Sequence, residues 1–152
     1  MKYSVAAIFI CLSLLSCKKD DDAGENKSEL ITSAAWKYDT GGIGDASGNI
    51  VFDFVTAGVI PSCALDNTVK FEMGGAGTSY ENADICPSSP ATSTFGWSLL
   101  NNETVLNITG TATTGLSGQF TIKTLTTSKM TLLKDTTITG FGNVTAIFNL
   151  KH

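Results

Sequence analysis

Apolar residues recur at every second position in several separate runs of this chain, and that regularity commits it to strands. Val69, Phe71 and Met73 alternate with Thr68, Lys70 and Glu72, and Phe95, Trp97 and Leu99 alternate with Gly96 and Ser98. The same period returns in Leu106 and Ile108, Phe120 and Ile122, Met130 and Leu132, and Ala146, Phe148 and Leu150, each opposite Thr, Asn, Gln or Lys. A helix would repeat its apolar positions about every 3.6 residues, whereas successive side chains of a strand point to opposite faces. Turn signals separate the runs: Gly74-Gly75, Asn101-Asn102, Gly115 to Gly118, Thr126-Thr127-Ser128 and Gly140 to Asn143. Further strands are expected near Trp36 to Asp39, Ile50 to Val55 and Gly77 to Glu81, which brings the number to eight or nine. Short links favour antiparallel neighbours, and a sheet of that size must close or stack to hide its edges. The predicted fold is all-β, a single antiparallel up-and-down barrel of eight to nine strands, with a β-sandwich as the alternative.

The start of the chain reads differently. Lys2 is followed by an apolar run of 11 residues, Val5 to Leu15, which ends against Lys18, Lys19 and three aspartates. A spanning helix needs about 20 apolar residues, so the run fits a signal peptide and not an anchor. It closes on Leu14-Leu15-Ser16-Cys17, which resembles the lipobox of bacterial lipoproteins and implies a lipid on the Cys17 thiol. The expected organisation is a signal peptide over 1–16, a lipidated flexible tether over 17–28 and a β domain over 29–152. The tether is polar and charged, with nothing large and apolar to bury. Its Lys19-Asp20-Asp21-Asp22 stretch resembles the address that sends certain lipoproteins to the cell surface. The expected location is the outer membrane, surface-exposed, with a periplasm-facing protein as the alternative.

Cys11 leaves with the signal peptide and Cys17 is lipidated, so Cys63 and Cys86 remain as one pair, 23 residues apart. In an oxidising compartment such a pair bridges, and the loop it closes is worth roughly 3 kcal/mol. A zinc site would need further ligands, yet the single histidine is His152 at the end of the sequence. No metal or other cofactor is expected.

Losing Lys2 leaves nine lysines against fourteen carboxylates, and there is no arginine at all. Nucleic acid, which demands a basic face, is excluded as a partner. A pocket for carboxylates or phosphates loses ground too, because the guanidinium fork is its usual instrument.

The runs resemble the lipocalin-like domains of small bacterial lipoproteins. The resemblance rests on Trp36 after a short lead-in, Cys63-Ala64-Leu65-Asp66-Asn67 before the strand ending Phe71-Glu72-Met73-Gly74, and then Cys86. It continues through Phe95-Gly96-Trp97, Leu106-Asn107-Ile108 and Ile122 to Leu125 leading into Lys129 to Leu132, and covers most of residues 30–134.

Motifs with catalytic associations fit structure better. Asp39-Thr40-Gly41 matches the short aspartic-protease signature but lacks its apolar setting, and reads as a strand ending in a polar turn. Gly41 to Gly48 is glycine-rich, but Gly42 to Gly48 misses the dinucleotide spacing, and the stretch reads as a flexible hairpin loop. Asp53 stands between Phe52 and Phe54 and reads as an outward aspartate on an amphipathic strand. Trp36 and Trp97 are the candidate ligand-binding residues. The expectation is a non-enzymatic, monomeric envelope protein, held to the membrane by its N-terminal lipid, whose barrel binds a small apolar or mixed ligand. The alternative is a filled barrel that serves as a structural or protein-interaction module.

Overall fold

The computed structural model describes residues 26–45, 48–110, 112 and 115–152. Cys17, the predicted signal peptide and most of the predicted tether lie outside them. A short helix, α1 (Lys27–Thr32), opens the described chain, capped by the Asn26 side chain, which accepts from the Ser28 backbone N–H at 3.0 Å. It begins two residues inside the predicted tether, because Asn26 supplies a cap and Leu30 and Ile31 supply buried anchors.

Nine strands follow among the described residues: β1 (Ala35–Gly44), β2 (Ile50–Asp53), β3 (Thr68–Phe71), β4 (Ala76–Tyr80), β5 (Thr92–Leu100), β6 (Val105–Thr109), β7 (Gly118–Leu125), β8 (Lys129–Ile138) and β9 (Gly142–Lys151). Every neighbouring pair is antiparallel, and β9 returns to pair with β1, so the sheet closes into a barrel. The predicted barrel is thereby observed, and the alternative of a β-sandwich is excluded.

One edge of β1 carries β9 along most of its length, while the other carries two strands end to end. Gly42 to Gly44 pair with β2, and Ala35 to Lys37 pair with β3. Together β2 and β3 fill one position of an eight-position barrel, a single strand interrupted by the excursion 54–67. The wall is also uneven in height. β1, β8 and β9 are each 10 residues long, whereas β3, β4 and β6 have 4 or 5.

Apolar side chains point inward, the reverse of a membrane-spanning barrel. Trp36, Val69, Phe71, Leu106, Phe120, Met130, Leu132 and Leu150 are almost fully buried in one cluster, which fills the end nearest α1. Helix α1 plugs that end: the Ile31 carbonyl accepts the Trp36 indole N–H at 2.8 Å. The His152 ring lies 3.8 Å from that of Trp36, and its partial burial lowers the imidazole pKa.

Two expectations need correction here. Met73 is 65% exposed, because β3 ends at Phe71 and the chain turns through Gly74 and Gly75 at positive φ. Gly41 to Gly44 form the upper part of β1 and not a loop. A β-bulge at Asp39 shifts the phase of β1, so that Gly41 faces inward beneath the Tyr38 hydroxyl; a Cβ on Gly41 would stand 2.8 Å from that oxygen. Glycine there is a packing requirement of a strand.

Candidate functional site: a half-filled barrel

Because the packed cluster fills only one end, the tall side of the barrel rises above it and encloses a cavity of about 810 Å³. β1 contributes Ile43, β2 contributes Phe52, β8 contributes Lys134, Thr136 and Ile138, and β9 contributes Ala146 and Phe148. Phe148 packs against both the filled cluster and a smaller one formed by Ile43, Phe54 and Ala146, and so makes the floor. Its ring centroid lies 5.8 Å from those of Phe54 and Phe120. At the mouth, Phe52 and Phe141 have ring centroids 5.1 Å apart. Aromatic pairs at these distances add to what their buried area contributes.

The opposite wall consists of loops, since β3 and β4 stop too low to reach the cavity. The excursion 54–67 supplies Val59, Ile60, Pro61, Cys63 and Ala64, and the β4–β5 connection supplies Cys86, Pro87 and Ser89. Asp53 starts the excursion: its carboxylate accepts from the Thr56 backbone N–H at 2.7 Å, and that bond holds its pKa below the usual value. It caps a turn, which is why it lies beside aromatic residues. Cys63 and Cys86 are joined in a disulfide with Cα atoms 5.2 Å apart, so the two loops are stapled directly at the cavity surface.

Buried polar groups reinforce the staple. The Glu81 carboxylate accepts from the Asn67 side-chain amide at 2.8 Å and from the Cys86 backbone N–H at 2.9 Å. Asp66 accepts from the backbone N–H groups of Ala83 and Asp84 at 2.8 and 3.1 Å. These bonds restrain loops that sequence alone leaves free, although Asp66 Oδ1 and Asn67 Oδ1 are buried without a partner among the described residues.

Trp36 and Trp97 do not line the cavity. Both belong to the packed cluster, and the Trp97 indole N–H is shared between the carbonyl oxygens of Glu72 and Ala76 at 3.0 and 2.8 Å. With their polar ends bound to backbone at the closed end, neither faces the place a ligand would occupy. The aromatic residues that do face it are Phe52, Phe54, Phe141 and Phe148. Their signal was partly available: Phe148 lies on the inward face of β9 already set by Ala146 and Leu150. That the cavity begins at Phe148 was not readable, since it depends on how high β1 and β8 extend.

Asp39, the acid of the protease-like triplet, is an exposed bulge residue that forms a 2.6 Å ion pair with Lys151. Tyr38 is buried, and its hydroxyl has no hydrogen-bond partner among the described residues. Burial first, then the charges of Asp53 and Asp39, push its phenol up to about 12. A second, polar hollow of about 640 Å³ lies by Gly44, Asp45, Asp135 and Thr145. No group of three metal-ligating side chains exists there or elsewhere among the described residues.

A closed antiparallel barrel with a cavity open at one end is the architecture of small-ligand carriers. The family of lipocalin-like domains matches the chain over residues 18–132. This chain belongs to that family. No curated protein matches it. The lipocalin-like match ends within β8, yet β9, which closes the barrel against β1, lies beyond it. The lipocalin-like barrel is a ligand-binding type of fold, and its family is typically non-catalytic.

Proposed function

We propose that this protein is a lipid-anchored carrier or sensor of the bacterial cell envelope that holds one small, largely apolar molecule in the open half of its barrel and does no chemistry on it. The observation that carries this reading is the cavity of about 810 Å³ walled by Phe52, Phe54, Phe148, Ile43 and Ala146. Its volume falls within the roughly 300–1,000 Å³ of small-molecule sites. A filled barrel serving only as scaffold would have packed this space, since each unfilled methylene costs stability.

Binding is testable with the neutral fluorescent probe N-phenyl-1-naphthylamine. The wild-type chain should bind it, and Ala146→Trp, which projects a large ring into the cavity, should weaken binding at least tenfold with the circular dichroism spectrum unchanged. Failure to bind any such probe, with a native mass spectrum showing no retained cargo, would return the protein to an interaction module.

The anchor rests on Leu14-Leu15-Ser16-Cys17 and the polar tether that follows. Only a thiol accepts the diacylglyceryl group, so Cys17→Ser should leave an uncleaved or unlipidated product. A mutant that still fractionates as a cleaved, detergent-phase protein would refute the anchor.

A further inference from the structure

Among the described residues that line this largely apolar cavity, one carries a charged side chain, Lys134. Its place follows from strand parity: Met130 and Leu132 face the barrel interior, and Lys134 is the next residue of that face, directly opposite cavity-lining Ala146 on β9. Its Nζ donates to the Ser117 carbonyl at 2.7 Å and lies 5.2 Å from the centroid of the Phe120 ring. An ammonium has three donors, and among the described residues the Ser117 carbonyl engages one of them. Among the described residues Lys134 has no ion-pair partner. Thr136, two residues on and also lining the cavity, adds a hydroxyl on the same face of β8.

An interior position of this kind ordinarily holds a branched aliphatic residue, because a cation in apolar surroundings is costly unless something compensates it. A wholly apolar ligand would gain nothing from it. We infer that the ligand is an amphiphilic monocarboxylic acid, its carboxylate seated on Lys134 Nζ with the Thr136 hydroxyl beside it, and its hydrocarbon body against Phe52, Phe54 and Phe148. The inference rests on the carrier reading above and names the ligand class of that same site. One cation balances one negative charge, which favours a carboxylate over a phosphate monoester, whose charge at neutral pH approaches two. Charge-assisted bonds of ammonium to carboxylate are short and about twice as strong as neutral ones.

The test uses the mature chain carrying Cys17→Ser, so that no lipid or detergent competes, titrated with cis-parinaric acid and with its methyl ester. The acid should bind at least tenfold more tightly than the ester, a difference of about 1.4 kcal/mol. Lys134→Met, close in volume and uncharged, should abolish that preference by weakening the acid at least tenfold, and Lys134→Arg should retain it. Ester binding by Lys134→Met also reports that the variant is folded. Equal affinity of the wild-type chain for acid and ester, or a preference that survives Lys134→Met, would overturn the assignment of Lys134 while leaving the cavity intact. Binding of neither probe would overturn the carrier reading together with it.

Discussion

Replacing both Cys63 and Cys86 by serine should lower the free energy of unfolding by about 3 kcal/mol and weaken probe binding at least tenfold, while the barrel remains folded. The stability term follows from the loop of 23 residues that the bond closes in the unfolded chain. The binding term follows from position. Both cysteines line the cavity, and the segments they join, 54–67 and 81–91, are the wall on the side where β3 and β4 are too short to supply one. Without the bond these segments keep the Glu81 and Asp66 hydrogen bonds, which tether Asn67, Ala83 and the Cys86 backbone but do not involve Val59, Ile60 or Pro61 on the facing part of the wall. Urea unfolding followed by tryptophan fluorescence measures the first effect cleanly, because Trp36 and Trp97 both sit in the packed end and report the barrel and not the loops. A loss of stability below about 1 kcal/mol, or unchanged probe affinity, would show that the polar network alone holds the wall.

The alternating runs made the barrel legible because each strand buries one face, and one face buried is what period two records. Phe95 and Trp97, Leu106 and Ile108, and Met130 and Leu132 all point inward as their spacing requires. The cysteine pairing was legible from the cysteine count together with the expected export of the chain. What escaped was whatever depends on strand height. Gly41, Gly42 and Gly44 carry no side chains to alternate, so the upper half of β1 looked like a loop, although its backbone pairs with β2 and β9. The split of one strand into β2 and β3 was equally hidden, since nothing local distinguishes an excursion within one strand position from a loop between two. Lys134 is a different case. Its parity with Met130 and Leu132 placed it inside the barrel, and the absence of arginine drew attention away from acidic ligands although one well-placed lysine can serve the same purpose.

Trp36→Ala should cost about 4 kcal/mol of stability and leave probe affinity within about threefold of wild type, whereas Phe148→Ala should cost less stability and lose most of the binding. Trp36 has no solvent exposure, its indole N–H binds the Ile31 carbonyl at 2.8 Å, and its ring meets His152. Truncation opens a void that well-packed Val69 and Leu150 cannot fill, and leaves a buried carbonyl without its donor. Large-to-small aromatic changes of this type cost about 3–5 kcal/mol, which consumes much of a small domain's total. Because α1 is held to the barrel partly through that indole, the helix should fray before the barrel melts, visible as early exchange of the Leu30 amide, which bonds the Asn26 carbonyl at 3.0 Å. Phe148 is only partly buried and lies between the packed cluster and the cavity, so its loss enlarges the cavity floor more than it disrupts the core. The two variants, compared by urea titration and by N-phenyl-1-naphthylamine binding, therefore separate the two halves of the barrel. A Trp36→Ala protein with wild-type stability and lost probe binding would place the ligand at the closed end instead.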